Sequence, residues 1–113
     1  MGVVVECVVT RARARYGIVR AASWPEFAQH LRLSVHTAPL PESFDAIIRG
    51  STILIRRDLT AEGSAYAVWH EIGHVMLHAG DWRWWETRPQ GHITVARFER
   101  QADEFARQFP VWE

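Results

Sequence analysis

The most regular alternation of apolar and polar positions lies between residues 61 and 78. Apolar side chains recur there at spacings of three and four residues, which predicts an amphipathic helix. Thr60 is the predicted N-cap residue and Gly80 the predicted C-terminal stop. A second helix is predicted around residues 98–106. Its buried stripe would consist of Phe98, Ala102, Phe105 and Phe109.

The pattern of apolar and polar residues before residue 40 does not distinguish helix from strand as clearly. The Val-rich composition of residues 3–16 favours a strand, whereas the arginines near the end of this segment, followed by Gly17, suit a helix terminus. The next segment gives a clearer signal. Ser23 and Glu26 have the spacing of a capping box, and Pro25 fits a first helical turn, so a helix is predicted over about residues 24–33.

Three short segments in the middle of the chain have the features of strands. Residues 34–38 end at Pro39, and residues 44–49 and 52–57 flank Gly50-Ser51 in the manner of a hairpin. A sheet of about three strands would offer one face to the helix over 61–78. The predicted fold class is therefore α+β, with three to four helices.

Composition and charge exclude several classes of protein. The chain has 113 residues, 48% of them apolar, and 13 basic residues balance 13 acidic ones, which predicts one globular domain over residues 1–113. The arginines near the N-terminus are interpreted as a solvated helix face, so no direct contact with nucleic acid is expected. No apolar stretch reaches the 18 to 20 residues of a membrane span, and no basic residue precedes the apolar N-terminus as it would in a signal peptide.

Cys7 is the only cysteine, which rules out an intramolecular disulfide and fits a reducing, cytoplasmic compartment. Because Cys7 lies in an apolar run, we expect a buried structural thiol. A nucleophilic role would need a nearby base, and the local sequence offers none.

Residues 70–74 read His-Glu-Ile-Gly-His, the HExxH arrangement of zinc hydrolases. Positions i and i+4 lie one above the other on a helix, so His70 and His74 can reach one metal ion. Glu71 can take a proton from a zinc-activated water. The pattern therefore predicts His70 and His74 as zinc ligands and Glu71 as the general base.

A catalytic zinc usually takes three protein ligands, and the predicted C-terminal helix offers a third. Glu99 and Asp103 are spaced to share one face of that helix. We expect Glu99 to bind the metal and Asp103 to accept the outer ring N–H of His70. An isolated ExxxD would be an ordinary charged helix face, but after an HExxH helix it indicates a metal site.

The segments HEIGHVMLH at 70–78 and ERQADEFARQFP at 99–110 resemble the ImmA/IrrE family of metallopeptidases. Asp103 stands where that family commonly has Asn, and it matches the Glu-x-x-x-Asp form of the wider gluzincins. The resemblance implies a minimal zincin-like domain with a helix over residues 3–16. It also implies a substrate class: helix-turn-helix repressors in phage, mobile-element or stress-response circuits.

Other candidate residues surround this motif. His78 continues the face of His70 and His74, but it lies about 12 Å along the helix from His70, so it is expected to pack or to form hydrogen bonds. The segment 81–91 holds Trp82, Trp84 and Trp85, which are predicted to cover the core, with Trp84 and Trp85 as alternative substrate contacts. His92 is either a loop residue whose hydrogen bonds are satisfied locally or a hydrogen-bond donor to the transition state.

Two functions follow as hypotheses. The first is a zinc-dependent endopeptidase that binds its substrate backbone along an edge strand, for which residues 52–57 are the candidate. The second is a proteolytically idle zinc-binding partner module, such as a component of a toxin and antitoxin pair. A closed fourth coordination position, or full activity after Glu71→Gln, would favour the second.

Overall fold

A computed structural model describes residues 2–78 and 82–113, with the side chains of residues 82 and 83 outside that description. The described residues form an α+β fold with four α-helices and a small mixed sheet. The α-helices are α1 (Val3–Tyr16), α2 (Trp24–His30), α3 (Ala61–Leu77) and α4 (Gly91–Gln108), the strands are β1 (Ser34–Ala38), β2 (Ala46–Arg49) and β3 (Thr52–Arg56), and 3-10 turns cover Ala21–Ser23 and Trp82–Thr87.

The strand order is β1-β3-β2, so β3 is the central strand. It pairs in parallel with β1, with Val35 opposite Ile53, and antiparallel with β2, with Ile48 opposite Ile53. Ile53 and Ile55 alternate with less buried positions along β3 and enter the core, as the period of two predicts. The hairpin at Gly50 is also as predicted, and Gly50 has the positive φ of 60° that such a turn requires.

The core lies between the sheet and the helices. Trp69 and Ile72 of α3 occupy its centre, and both are fully buried. The indole Nε1–H of Trp69 donates to the carbonyl of Ala21 at 2.9 Å, so its polar atom is satisfied inside the apolar cluster. Phe105 of α4 and Phe109, the residue after α4, pack against this cluster, and their rings stack at 5.2 Å. These contacts hold α3 and α4 side by side.

Three predictions about the N-terminal half are wrong. Cys7 is exposed, because α1 buries the stripe formed by Val5, Val9 and Ala12, and Cys7 faces away from it. The helix from Trp24 ends at His30 and not at residue 33, because Arg32 takes a φ of 60°.

The Ser23 capping box is also absent: Ser23 ends a 3-10 turn, and its side chain makes no cap hydrogen bond.

Residues 3–16, for which the sequence left helix and strand open, form a helix. Thr60 caps α3 as predicted, since its hydroxyl accepts a hydrogen bond from the Gly63 N–H at 3.0 Å. The predicted stop at Gly80 lies outside the described residues. Over the described ranges, no helix combines the length and the apolar character needed to cross a bilayer.

Candidate metal centre

Helix α3 places two imidazoles and a carboxylate together within its last three turns. His70 and His74 are one turn apart, and their ring centroids are 4.9 Å from each other. The candidate ligand atoms of His70, Glu71 and His74 all lie within 4.8 Å of one another. Glu71 and His74 are buried, at 4% and 2% exposure. This group could hold a metal ion.

Helix α4 brings Glu99 to the same point. Its Oε1 lies 2.6 Å from Nε2 of His74 and 3.4 Å from Nε2 of His70. Donor atoms of a tetrahedral zinc site are separated by about 3.3 Å, given bond lengths of about 2.0 to 2.2 Å. The distance to His70 has that value, whereas the distance to His74 is that of a direct hydrogen bond. One carboxylate oxygen thus lies where both Nε2 atoms point.

Glu71 and Glu99 both border the histidine pair, and the geometry distinguishes them. The candidate ligand atom of Glu71 lies within 4.8 Å of those of His70 and His74, and Glu71 belongs to the same helix turn as His70. Glu99 comes from a different helix and reaches the Nε2 atoms of both histidines. Two carboxylates, Glu71 from α3 and Glu99 from α4, therefore border the histidine pair.

The electrostatics of the site favour a cation. Burial lowers the pKa of His70, but its hydrogen bond to Glu99 and the charges of Glu71 and Glu99 outweigh burial and raise that pKa to about 9. Burial raises the pKa of Glu99, and hydrogen bonds from His70 and His74 outweigh it, so this pKa lies far below its ordinary value. Positive charge between these groups is stabilised, and a divalent ion is one way to supply it.

Each histidine of the pair uses its outer nitrogen in a different hydrogen bond. Nδ1 of His70 lies 2.7 Å from Oδ1 of Asp103, the contact that the ExxxD spacing predicts. The hydroxyl of Tyr66 donates to the same Oδ1 at 3.3 Å. Burial raises the pKa of Tyr66, so this hydroxyl keeps its proton. Tyr66 and Asp103 together hold the ring of His70 from the side away from Glu99.

The outer nitrogen of His74 contacts a third histidine. Nδ1 of His74 lies 2.9 Å from Nδ1 of His78, and Nε2 of His78 lies 2.8 Å from Oε1 of Gln101. The ring of His78 stacks on Phe98 at 4.0 Å. Burial lowers the pKa of His78, which keeps the ring neutral. His78 therefore packs and forms hydrogen bonds, as its spacing along the helix predicts.

An open cleft of about 490 Å³ lies over this group. Its walls come from β2 and the loop before it, from α3, from the 3-10 turn and from α4. Phe44 and Arg49 line the β2 side, and Glu86 of the 3-10 turn lines another wall. His70 and Glu71 also line it.

The prediction that β3 is the substrate-binding edge strand is wrong. β3 is hydrogen-bonded on both sides and has no free edge. The strand beside the cleft is β2, since Ala46 and Arg49 line it together with His70. Among the described residues β2 pairs with β3 alone, so the other edge of β2 is an edge of the sheet. The order of strands depends on long-range packing, which the hairpin signal does not encode.

Trp84 and Trp85 after α3 do not cover the core, and for these two residues the prediction is wrong. Trp84 and Trp85 are 47% and 37% exposed, and their rings meet edge to face at 4.9 Å. The guanidinium of Arg88 lies 3.8 Å from the ring centroid of Trp84. The side chain of Trp82 lies outside the described residues. His92 is exposed on the first turn of α4 and is not among the described residues that line the cleft.

Two residues of the site were missed by the sequence reasoning. In the sequence Tyr66 fits the apolar spacing of α3, although its place four residues before His70 puts it on the face of the histidines. Gln101 gave no local signal, because its contact with His78 exists only once α4 packs against α3.

Comparison with family models, with curated proteins and with solved structures finds no match for this chain. The interpretation of the site therefore rests on the residues of the chain itself.

Proposed function

We propose that this chain is a zinc-dependent endopeptidase with His70, His74 and Glu99 as metal ligands and Glu71 as the general base. The observation that carries the proposal is the position of Glu99 Oε1 between the Nε2 atoms of both histidines. Two imidazoles and one carboxylate, on helices that hold them at fixed distance, are a donor set of catalytic zinc. A structural zinc site would use four protein ligands.

When bound, zinc supplies Lewis acidity that polarises a peptide carbonyl and lowers the pKa of water to about 7. Glu71 takes the proton of the attacking water and delivers it to the departing amine. The hydroxyl of Tyr66 lines the cleft and donates its single proton to Asp103; turned from Asp103 to the substrate, it is the candidate donor to the oxyanion that forms on the carbonyl.

The cleft supports an extended peptide as the substrate. Because β2 is an edge strand along the cleft, a substrate backbone can add to it through main-chain hydrogen bonds. Strand addition presents alternate side chains to opposite sides. The side chains facing the α3 wall would meet Tyr66 and Ala67, and the scissile bond would lie near Glu71.

The resemblance of residues 70–78 and 99–110 to the ImmA/IrrE family supplies the substrate class of this proposal. On that basis the substrate is a helix-turn-helix repressor of a phage, mobile-element or stress-response circuit. This part of the proposal rests on sequence motifs, whereas the hydrolytic part rests on the geometry of the site.

The test uses Glu71→Gln with Glu62→Gln as a matched control. Glu62 lies exposed in the first turn of the same helix, so its change alters charge and leaves the site intact. Each protein is loaded with zinc, its metal content is measured, and it is incubated with a repressor encoded beside its own gene and with a library of unstructured peptides. We expect Glu71→Gln to retain zinc and lose about 10²- to 10⁴-fold in cleavage rate, and Glu62→Gln to cleave like wild type.

Equal cleavage by Glu71→Gln and wild type would contradict the role of Glu71. Zinc binding without cleavage of any peptide would point to the idle partner module. Cleavage of peptides but not of the repressor would support the chemistry and contradict the substrate class.

A further inference from the structure

Beyond the three ligands, a chain of hydrogen bonds leads away from the metal centre through His74. It runs from Nδ1 of His74 to Nδ1 of His78 at 2.9 Å and from Nε2 of His78 to Oε1 of Gln101 at 2.8 Å. We infer that His78 is a positioning residue, which fixes the ring orientation and tautomer of His74 so that His74 presents Nε2 to the metal. The inference rests on the proposed metal site.

The tautomers along the chain follow from one requirement. Of two Nδ1 atoms in hydrogen-bond contact, one must donate and the other accept. Without a metal, Nε2 of His74 is in hydrogen-bond contact with Glu99 at 2.6 Å. Once a metal binds, Nε2 carries no proton, so Nδ1 of His74 carries it and donates. Nδ1 of His78 then accepts, and its Nε2–H donates to the amide oxygen of Gln101. Every atom in the chain has a compatible role.

The packing around His78 holds this arrangement in place. His78 is 8% exposed, and its ring stacks on Phe98 of α4 at 4.0 Å. Gln101 also belongs to α4, two residues after Glu99. The acceptor for His74 is therefore held by the same helix that supplies the third ligand. If α4 packs correctly, both the ligand and the ring orientation of His74 are set together.

The two ligand histidines thus have outer partners of different chemistry. His70 has the carboxylate of Asp103, and His74 has a neutral imidazole. Outer partners of metal-bound histidines commonly account for about 10- to 100-fold in metal affinity. A purely structural His78 would contribute to the packing of the α3 terminus and have no specific effect on the metal.

The experiment compares His78→Asn with His78→Gln. The amide oxygen of Asn can take the place of Nδ1 and accept from His74, whereas the longer Gln places its polar atoms near the former Nε2. Both variants lose the ring and its stacking on Phe98, so each controls for the packing loss of the other. We expect His78→Asn to keep most of the zinc affinity and His78→Gln to lose about 10- to 100-fold, by competition with a chelator.

A second measurement uses the wild type, so it needs neither catalytic activity nor a substitution at the buried His78. Long-range proton–nitrogen NMR of the zinc-loaded wild type should show His74 protonated at Nδ1 and His78 protonated at Nε2. If both His78 variants fail to fold, this spectrum and Gln101→Met decide the question. Gln101→Met removes the acceptor at a half-buried site, and we expect a smaller loss of zinc affinity.

The outcomes separate this inference from the proposed function. If the wild type binds no zinc, both fail. If the wild type binds zinc but His78→Asn and His78→Gln lose the same affinity, His78 acts through packing and the inference alone is overturned. A spectrum with His74 protonated at Nε2 would overturn it as well.

Discussion

The close approach of α3 and α4 at Gly73 should control the metal affinity of the site. A Cβ added at Gly73 would lie 3.0 Å from the carbonyl oxygen of Ala102 and 3.1 Å from its Cα. Carbon atoms in ordinary contact are at least about 3.5 Å apart, so Gly73→Ala requires a displacement of about 0.4 Å. The contacted atoms are backbone, and no change of rotamer can relieve them. Ala102 lies between Glu99 and Asp103 in α4, so that segment must move.

The expected effects of Gly73→Ala on stability and on metal binding differ. Alanine in place of glycine favours the helix by about 1 kcal/mol, and overpacking costs about 1 to 3 kcal/mol, so the variant should be destabilised by up to about 2 kcal/mol. Metal sites tolerate errors of only about 0.2 Å in ligand distance. A shift of Glu99 by about 0.4 Å should therefore weaken zinc binding by about tenfold or more.

The assay measures unfolding by urea in the presence of a chelator and zinc affinity by chelator competition. Val75→Ala is the matched control, because Val75 is 40% exposed on the same helix and its change raises helix propensity. The control should bind zinc like wild type. If Gly73→Ala binds zinc with wild-type affinity and its free energy of unfolding rises by the full helix-propensity gain of about 1 kcal/mol, the spacing between α3 and α4 does not determine the geometry of the metal site.

Asp103→Ala should lower zinc affinity about 10- to 100-fold, whereas Asp103→Asn should lose less because its amide oxygen still accepts from His70; equal losses in the two would contradict this role. Tyr66→Phe should lower kcat with little change in KM or in zinc content, and an unchanged kcat would rule out the hydroxyl as the oxyanion donor. In the metal-free protein the pKa of His70 is raised from 6.5 to about 9, so its contribution to stability is present below pH 6.5 and is lost as pH rises through 9. Zinc must displace that proton, and calorimetry at pH 7.5 in buffers of different ionisation enthalpy should detect about one proton released; none released would contradict the raised pKa. Gly91→Ala would put a Cβ 1.5 Å from the carbonyl oxygen of Trp85, so amide exchange in the 3-10 turn should rise while global stability changes little; unchanged exchange would refute the contact.

The elements that carry the chemistry could be predicted because their signals are local. The HExxH spacing requires only that residues 61–77 form a helix, and the cap at Thr60 and the apolar spacing both favour one. The ExxxD spacing needs only helix α4. The meeting of the two helices was inferred from the number of ligands that zinc requires. Glu99 lies at the histidine pair as that inference demands.

Features that depend on long-range packing were not predictable in the same way. α1 is apolar on several sides, so the sequence could not tell which stripe faces the core, and Cys7 was placed inside when Val5 and Val9 are the buried residues. The hairpin between β2 and β3 was evident, but the position of β1 on the far side of β3 was not. That position decides which strand has a free edge at the cleft.

The charges around the site are suited to a metal ion. Glu71, Glu99 and Asp103 bring three carboxylates to a region where two of the closest groups, Glu71 and His74, are buried. The raised pKa of His70 means that, without a metal, one proton offsets part of this charge. A divalent ion offsets more of it and needs both imidazoles neutral. The carboxylates that raise the pKa of His70 therefore also attract a doubly charged ion. As the pH rises, fewer protons compete for His70, so binding of the ion is favoured more strongly.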